Sequence, residues 1–108
     1  MQYLNQAFAA LGDRTRLAIV EKLLREGEMA VGDLKEVSPL SPPAISRHLK
    51  VLREAGIIHQ RVDRQRRLYS VCPDAIQSIG DWTMRHRVFW ENSLDRLEDA
   101  LKFNEPPM

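Results

Sequence analysis

The sequence predicts a mainly α-helical fold with one small β-hairpin, in the order ααααββα. Apolar residues recur every three or four positions in five segments, as they do on one side of an α-helix. After Gly56 that spacing stops, and two short segments rich in β-favouring residues follow. A length of 108 residues corresponds to one domain, so these elements are expected to form a single domain over residues 1–108.

The first two helices are predicted from their spacing and their ends. Residues 3–11 form the first, from three apolar residues at helical spacing: Leu4, Phe8 and Leu11. Asp13 or Thr15 is the expected N-cap of the second helix, because an Asp or Thr oxygen accepts from the free N–H groups of a first turn. Gly27 is its expected end.

A break at Ser38-Pro39-Leu40 separates the third helix from the fourth, because the residue before a proline resists helical geometry. Before the break, a weaker helix is predicted from Ala30 to Val37. After it, a strongly marked helix is predicted over residues 42–55, with Ser41 as its N-cap and Gly56 as its stop.

The fourth helix has an apolar side and a basic side. At about 100° per residue, Ile45, Leu49 and Leu52 fall together, and Arg47 and Lys50 point away from them. Two helices joined by a short turn, the second of them basic, are typical of a helix-turn-helix. The second helix of that motif fits into the major groove of DNA.

Residues 57–71 predict a β-hairpin, the wing of a winged helix-turn-helix. Its strands are expected at residues 57–62 and 67–71, on either side of a basic turn over residues 63–66. A hairpin with this charge is expected to lie along the phosphate backbone or to enter the minor groove.

A long C-terminal helix is predicted over residues 74–102, so the core of the fold would span residues 3–72. It carries an apolar stripe at helical spacing: Ile76, Ile79, Trp82, Phe89, Trp90, Leu94, Leu97 and Leu101. Much of this stripe has no obvious partner within the chain, which favours a role in dimerisation.

Charge is distributed unevenly along a chain whose net charge is only +1. Residues 47–67 hold seven Lys or Arg and two acidic residues, whereas residues 91–105 hold five acidic residues and two basic ones. A basic middle and an acidic end indicate two surfaces with different partners.

Cys72 is the single cysteine, which excludes an intrachain disulfide and suits a reducing cytosol. The amino terminus lacks the basic start and apolar run of a signal peptide, and no apolar run approaches the roughly 20 residues of a membrane span. The expected location is the cytoplasm, with no membrane insertion.

Three motifs, in order, resemble the ArsR family of bacterial winged helix-turn-helix repressors. The family's opening is similar to Ala10-Leu11-Gly12-Asp13-Arg14-Thr15-Arg16-Leu17. Its recognition helix is similar to Ser46-Arg47-His48-Leu49-Lys50-Val51-Leu52-Arg53-Glu54-Ala55-Gly56, and its wing to Arg64-Gln65-Arg66-Arg67-Leu68-Tyr69. The resemblance implies a homodimer, with first and last helices packed across a twofold axis, that represses promoters.

The chain departs from the family's metal-sensing pattern. Ala30 and Gly32 occupy the places of a Cys-x-Cys pair, and neither side chain can bind a metal. A second family site needs a histidine where Thr83 stands. The chain therefore resembles the branch that does not sense metals, and no metal site or cofactor is predicted.

The residues predicted to contact double-stranded operator DNA lie on the fourth helix and the wing: Ser41, Pro43, Ser46, Arg47, His48, Lys50, Arg64, Gln65, Arg66, Arg67 and Tyr69. Arg47 is the expected base reader, and Lys50 the expected phosphate partner. For His48, packing or a phosphate contact is favoured over base readout. Pro42 stands where relatives often have a glutamine, so the family's base contacts are not carried over unchanged. Alternation along the strand places Arg66 and Arg67 on opposite faces, so not all of these residues can contact DNA together.

The predicted dimer interface takes apolar residues from the first and last helices: Leu4, Phe8, Leu11, Trp82, Phe89, Trp90, Leu94, Leu97 and Leu101. In the alternative interpretation, Trp82, Phe89 and Trp90 line an inducer pocket. Cys72 is interpreted as a half-buried structural thiol rather than a redox sensor, and His86 as a packing or surface residue rather than a ligand shared across a dimer.

Two functions from different classes follow. The first is a homodimeric transcriptional repressor that binds a pseudo-palindromic operator. The second is a winged-helix protein-interaction module that acts through its C-terminal helix without DNA. No nucleophile–base pair, phosphate loop or paired carboxylates indicate an enzyme. The sequence names neither an effector nor the operator.

Overall fold

The computed structural model describes residues 2–34, 37 and 40–103. The chain divides into two compact units, Met1–Gln77 and Ser78–Met108. The first unit contains every element up to the start of the last helix, and the second contains most of that helix.

Two helices open the first unit, close to their predicted bounds. Helix α1 spans Gln2–Leu11 and helix α2 spans Arg14–Glu26. Of the two possible N-caps of α2, the structure selects Asp13, whose carboxylate accepts the backbone N–H of Arg16 at 3.0 Å. Gly27 follows α2 with a φ of 82°, a left-handed conformation that glycine adopts without steric cost.

The third predicted helix begins one residue later than expected, and a strand precedes it; residues 35 and 36 of the prediction lie outside the described residues. Strand β1 comprises Met29–Ala30, and helix α3 comprises Val31–Leu34. Ala30 therefore leaves the predicted helix because it pairs with a distant strand, opposite Leu68. The predicted break at Ser38-Pro39-Leu40 lies outside the described residues except for Leu40.

Helix α4 spans Pro42–Glu54, with Ser41 as its N-cap and Ala55 as its C-cap. The Ser41 hydroxyl oxygen accepts the backbone N–H of Ala44 at 3.4 Å. Gly56 comes next with a φ of 76°, which confirms its predicted part in ending the helix. The chain turns there towards the sheet.

The hairpin is confirmed, and β1 makes it a three-stranded antiparallel sheet. Strand β2 spans Ile58–Asp63 and strand β3 spans Arg66–Val71. The strand order is β1-β3-β2, so β3 is central. Arg64 and Gln65 form the tip. They are flanked by Asp63, the last residue of β2, and Arg66, the first residue of β3, which lie opposite each other in the strand register. Arg64 has a φ of 61°, a left-handed conformation that is unfavourable for a residue with a Cβ atom.

The core of the first unit forms between the helices and this sheet. Its largest fully buried side chains come from α2, α3, α4 and the residue before β2: Ile19, Leu34, Ile45, Leu49, Leu52 and Ile57. Leu4 belongs to this core as well, because only 5% of its surface is exposed. Its assignment to the dimer interface was therefore wrong, since α1 packs its Leu4 side against its own chain.

Helix α5 spans Pro73–Phe103, close to the predicted 74–102. Ala75 in its first turn is fully buried in the first unit. Within the second unit, Arg87 donates to Glu91 at 2.9 Å, and Lys102 lies 3.4 Å from Glu98. Among the described residues, no helix combines the length and the apolar composition needed to cross a membrane.

Candidate nucleic-acid interface

The start of α4 presents short side chains to solvent. Ser41, Pro43 and Ser46 are exposed, as the sequence predicted. Because the Ser41 hydroxyl oxygen accepts the Ala44 N–H, its own proton remains available to an outside acceptor. Pro42 and Pro43 have no N–H group, so a phosphate at this helix start would be favoured by the helix dipole and by the Ser41 hydroxyl.

The two sides of α4 separate as its spacing predicts. Ile45, Leu49 and Leu52 are buried, whereas Arg47 and Lys50 are exposed. The Lys50 ammonium lies 4.0 Å from the Glu54 carboxylate, and both side chains are about two-thirds exposed. An exposed pair of this kind contributes little and is easily exchanged for another anion.

His48 lies at the edge between these two sides, where it connects α4 to the start of α2. Its Nδ1 is 3.4 Å from Nη1 of Arg16 and 3.8 Å from Oδ2 of Asp13. Arg16 also donates through Nε to the Ala10 carbonyl oxygen at 2.6 Å. The pKa of Asp13 is lowered, first by the hydrogen bond from the Arg16 backbone and then by the Arg16 guanidinium. This cluster fixes α4 against α1 and α2.

The base of the wing is held by polar contacts from both of its neighbours. Arg61 on β2 forms two hydrogen bonds with the Glu28 carboxylate, at 2.6 and 2.7 Å. They lower the pKa of Glu28 and raise that of Arg61. Arg53 on α4 donates to the Gln60 side chain on β2 at 2.8 Å. The direction of the wing is thus tied to α4 on one side and to the start of β1 on the other.

The structure separates the arginines of α4 and the wing into two groups. Arg53 and Arg61 have the partners just described. Four others are exposed, and within the described ranges no carboxylate forms an ion pair with them: Arg47, Arg64, Arg66 and Arg67. All four lie on α4 or at the wing, so unpaired positive charge remains available on the predicted nucleic-acid surface. Arg14 and Arg25 of α2 are also exposed and form no ion pair with a described carboxylate.

Tyr69 was predicted to belong to that surface, and the structure corrects this prediction. Only 5% of it is exposed, and it pairs with Met29 on one side and with Gln60 on the other. The predicted hairpin had two strands, which would leave one edge of β3 unpaired. In the structure β1 pairs along that edge, and Tyr69, with so little of its surface exposed, is part of the core rather than of the surface predicted to contact DNA.

The anchoring contacts of His48 were not predicted. Arg16 and His48 are 32 positions apart, and neither belongs to a spacing pattern that relates them. The same holds for Glu28 and Arg61, which are 33 positions apart. These contacts arise from the packing of α2 on α4 and of β1 beside β3.

Apolar side chains of the predicted dimer interface remain exposed in the single chain. On α1, Phe8 is 40% exposed and Leu11 is half-buried. On α5, Trp82 is half-buried and stacks on His86 at 4.5 Å between ring centroids. Five further residues of α5 have between 57% and 64% of their surface exposed: Phe89, Trp90, Leu94, Leu97 and Leu101. An exposed apolar strip along one helix marks an interaction surface.

Cys72 is half-buried, with its Sγ 3.6 Å from Nδ1 of His59. Burial raises the pKa of the thiol, and the charge of Asp74 adds to this effect. A raised pKa keeps the thiol protonated and poorly nucleophilic, as expected of a structural cysteine. His86 lies near the Trp82 carbonyl oxygen, with Nδ1 at 2.8 Å. Among the described residues, no group of three or more His, Cys, Asp or Glu is placed to hold a metal ion.

Comparison with known proteins gives consistent results. The family model described as "Bacterial regulatory protein, arsR family" matches residues 13–60. The HTH-type transcriptional regulator Rv2034 of Mycobacterium tuberculosis is 40% identical over 90 residues, which cover 83% of this chain and 80% of that protein. The transcriptional repressor SdpR of Bacillus subtilis is 35% identical over 81 residues, covering 75% and 89% of the two chains. The crystal structure of an ArsR family transcriptional regulator superposes with a TM-score of 0.73 at 26% identity, covering 83% of this chain and 92% of that one.

Proposed function

This chain belongs to the ArsR family of bacterial regulatory proteins, and from that premise we propose that it is a homodimeric repressor that binds a pseudo-palindromic operator. As a member of the family, it is a DNA-binding transcriptional regulator. The proposal adds the dimer, the form of the operator, the sign of regulation and the residues that make the contacts. It places the protein in the cytoplasm, on the nucleoid.

The observation that carries the proposal is the group of four exposed arginines, Arg47, Arg64, Arg66 and Arg67, without carboxylate partners among the described residues. Nearby basic residues of the same unit are already bonded, as Arg61 is to Glu28. Guanidinium groups available on a helix and a hairpin match the needs of a polyanion, because each phosphate contact releases condensed counterions.

The roles divide between base recognition and phosphate binding. Arg47 on α4 is the proposed base reader, since a guanidinium donates two parallel hydrogen bonds to guanine. Ser41, Ser46 and Lys50 are the proposed phosphate partners. His48 holds α4 in position through Arg16, so its own contribution is to position the helix and, at most, to contact one phosphate.

The wing contributes mainly charge. Arg64 and Gln65 are at its tip and are both exposed, and Arg66 and Arg67 follow on β3. Since successive side chains of a strand point to opposite faces, either Arg66 or Arg67 faces the duplex, but not both.

The exposed apolar strip of α5 supports the homodimer. In a twofold dimer the same strip meets its own copy, and two α4 helices then enter successive major grooves about 34 Å apart. The ArsR-like sequence carries no thiolate pair at Ala30 and Gly32, so the proposed repressor does not respond to metals through that position.

The proposal is tested by measuring DNA affinity with fluorescence anisotropy at low salt, on duplexes that tile the region upstream of the gene. Arg47→Ala is expected to weaken operator binding by about 1–3 kcal/mol, or roughly 5- to 150-fold, because it removes a bidentate base contact. Arg87→Ala is the matched control, since Arg87 is an exposed arginine of α5 bonded to Glu91. Light scattering checks that both variants remain dimers.

An absence of binding by the unaltered chain at low salt would count against a DNA-binding repressor. Equal reductions in affinity for Arg47→Ala and Arg87→Ala would show that α4 is not the reading element. A dimer that binds no duplex but whose association depends on the α5 strip would favour the alternative, a protein-interaction module.

A further inference from the structure

An open cleft of about 380 Å³ lies in the first unit, against the C-terminal half of α4. Its lining comes from α1, from the start of α2 and from the C-terminal half of α4. Arg16, Glu54 and Gln6 supply the polar groups, and Ala9 and Val51 supply apolar surface together with two further alanines. The volume is at the lower end of the range for small-ligand sites, about 300–1,000 Å³.

Arg16 is a preorganised anion-binding group in this cleft. Its Nε–H is bonded to the Ala10 carbonyl oxygen at 2.6 Å, and Nη1 lies 3.4 Å from His48. These contacts with described residues use two of the five N–H donors of a guanidinium. The remaining donors are held in a fixed plane by the first two, so a carboxylate binding there gains a paired contact at little entropic cost.

Glu54 provides the opposite charge on the α4 side of the same cleft. Its carboxylate lies 4.0 Å from the Lys50 ammonium, in a pair whose side chains are both about two-thirds exposed. Such a pair is weak, so the Glu54 carboxylate can accept a second cation. Between the two charges, the cleft is lined by side chains no larger than valine, apart from the polar Gln6.

We propose that this cleft is a binding site for a small zwitterion, an α-amino acid with a short aliphatic side chain. Its carboxylate binds Arg16, its ammonium group binds Glu54, and its side chain lies against Ala9 and Val51. A simple anion lacks the contact with Glu54, and a simple amine lacks the contact with Arg16. The pair of charges therefore selects for a molecule that carries both.

A ligand in the cleft is in direct contact with α4. This step rests on the proposed function, in which α4 is the recognition helix. Val51 and Glu54 are on α4, and Arg16 is the residue that contacts His48 on the same helix. A ligand carboxylate on the remaining donors binds the same guanidinium that contacts His48, so ligand binding is coupled to the anchoring of the recognition helix. The ligand acts as an inducer when it binds the loosened state more tightly than the anchored one.

Ligand binding is tested without DNA. The result can therefore be interpreted even if the chain proves not to be a repressor. Glycine, L-alanine, L-valine and L-leucine are titrated into the full-length protein by isothermal titration calorimetry. The matched controls are 4-methylpentanoate, which lacks the amine of leucine, and 3-methylbutylamine, which lacks its carboxylate. At least one amino acid is expected to bind, and at least tenfold more tightly than either control.

Three variants locate the site. Glu54→Gln and Arg16→Lys are expected to reduce the affinity at least tenfold, and Ala9→Trp is expected to abolish binding by filling the cleft. Ala9 and Glu54 are exposed, so these two variants keep the test valid if Arg16→Lys fails to fold. No binding by any of the four amino acids overturns the proposal, as does binding that Ala9→Trp and Glu54→Gln leave unchanged.

Coupling to DNA is measured separately by repeating the anisotropy titration with a saturating amount of the amino acid that binds. The expected result is at least a fivefold reduction of operator affinity in the unaltered chain and none in Ala9→Trp. A ligand that binds in the cleft but leaves operator affinity unchanged overturns the role as inducer.

Discussion

Two regions of the chain, α4 with the wing and the exposed length of α5, differ in the kind of side chain that they expose. On α4 and the wing, apolar side chains such as Leu49 are buried, and guanidinium groups such as that of Arg47 lack carboxylate partners among the described residues. On α5, Arg87 and Lys102 are paired within the helix and, among the described residues, Arg85 and Arg96 are not. The difference from α4 is that large apolar side chains such as Trp90 and Leu97 are exposed.

The difference indicates two kinds of partner. Unpaired guanidinium groups gain most from an anion, and a phosphate backbone supplies a regular series of them. Exposed aromatic and aliphatic side chains gain most from another apolar surface. One chain of 108 residues therefore carries two surfaces that are complete only in different complexes.

The largest expected effect is the loss of stability on replacing a buried leucine, compared with replacing an exposed one. Leu49→Ala, at a residue only 1% exposed, is expected to lower the free energy of unfolding by about 2–5 kcal/mol, because it leaves a cavity in the core. Leu97→Ala removes the same atoms from an exposed position, so its effect is expected to act through association. Urea unfolding at two protein concentrations distinguishes them.

The destabilisation by Leu49→Ala should be the same at both protein concentrations, and the destabilisation by Leu97→Ala should shrink on dilution. A concentration-independent effect of the same size for Leu97→Ala would contradict the comparison, since Leu97 would then belong to a core of its own chain.

The next effect concerns the aromatic part of the α5 strip. Trp90→Ala is expected to weaken the dimer by about 2 kcal/mol or more, roughly 30-fold in the dissociation constant, because buried tryptophans dominate interface energies. Analytical ultracentrifugation measures this constant. Arg87→Ala on the same helix is the control, and its exposed pair with Glu91 is expected to contribute less than about 1 kcal/mol.

A smaller effect is expected at the wing, where the change appears in the salt dependence more than in the affinity for one sequence. The double substitution Arg64→Ala and Arg66→Ala should reduce the slope of log affinity against log salt by about 0.9 for each phosphate that the wing no longer neutralises. Titrations at several salt concentrations measure the slope. An unchanged slope would mean that the wing does not bind phosphates.

The smallest effect is a pH dependence of stability at acid pH. The pKa values of Asp13 and Glu28 are lowered in the folded chain, by hydrogen bonds from Arg16 and Arg61 respectively. Each carboxylate therefore stabilises the fold at pH values above its ordinary pKa of 3.8 or 4.5, and that contribution disappears as the pH falls through the lowered value.

In Glu28→Gln the stability should change less between neutral pH and about pH 3 than in the unaltered chain, because one titrating group has been removed. Urea unfolding at several pH values measures the difference. A steeper acid dependence in this variant would contradict the assignment of the Glu28–Arg61 pair.

The helices and the hairpin were predictable from sequence because their signals are local. Asp13, Ser41 and Gly56 mark helix ends where the structure has them. Strand β1 was missed because two residues show no alternation, and Met29 and Ala30 become a strand only by pairing with β3. The wrong placement of Tyr69 follows from that omission.

The candidate site was predictable to a similar extent. Helical spacing identified Arg47 as outward and Leu49 as inward, since both depend on one helix alone. Spacing does not say what covers an apolar face, which is why Leu4 was assigned to a dimer and lies in its own core. The contact between Arg16 and His48 joins positions 32 residues apart and requires the packed fold.

The most direct test of two surfaces with two partners is amide hydrogen exchange, measured on the dimer with and without duplex DNA at low salt. We predict new protection at the start of α4, over residues 41–50, and at the wing, over residues 63–67, with exchange on α5 over residues 84–101 unchanged. New protection confined to α5, with α4 and the wing exchanging as before, would show that the duplex binds elsewhere and would contradict the division into two surfaces.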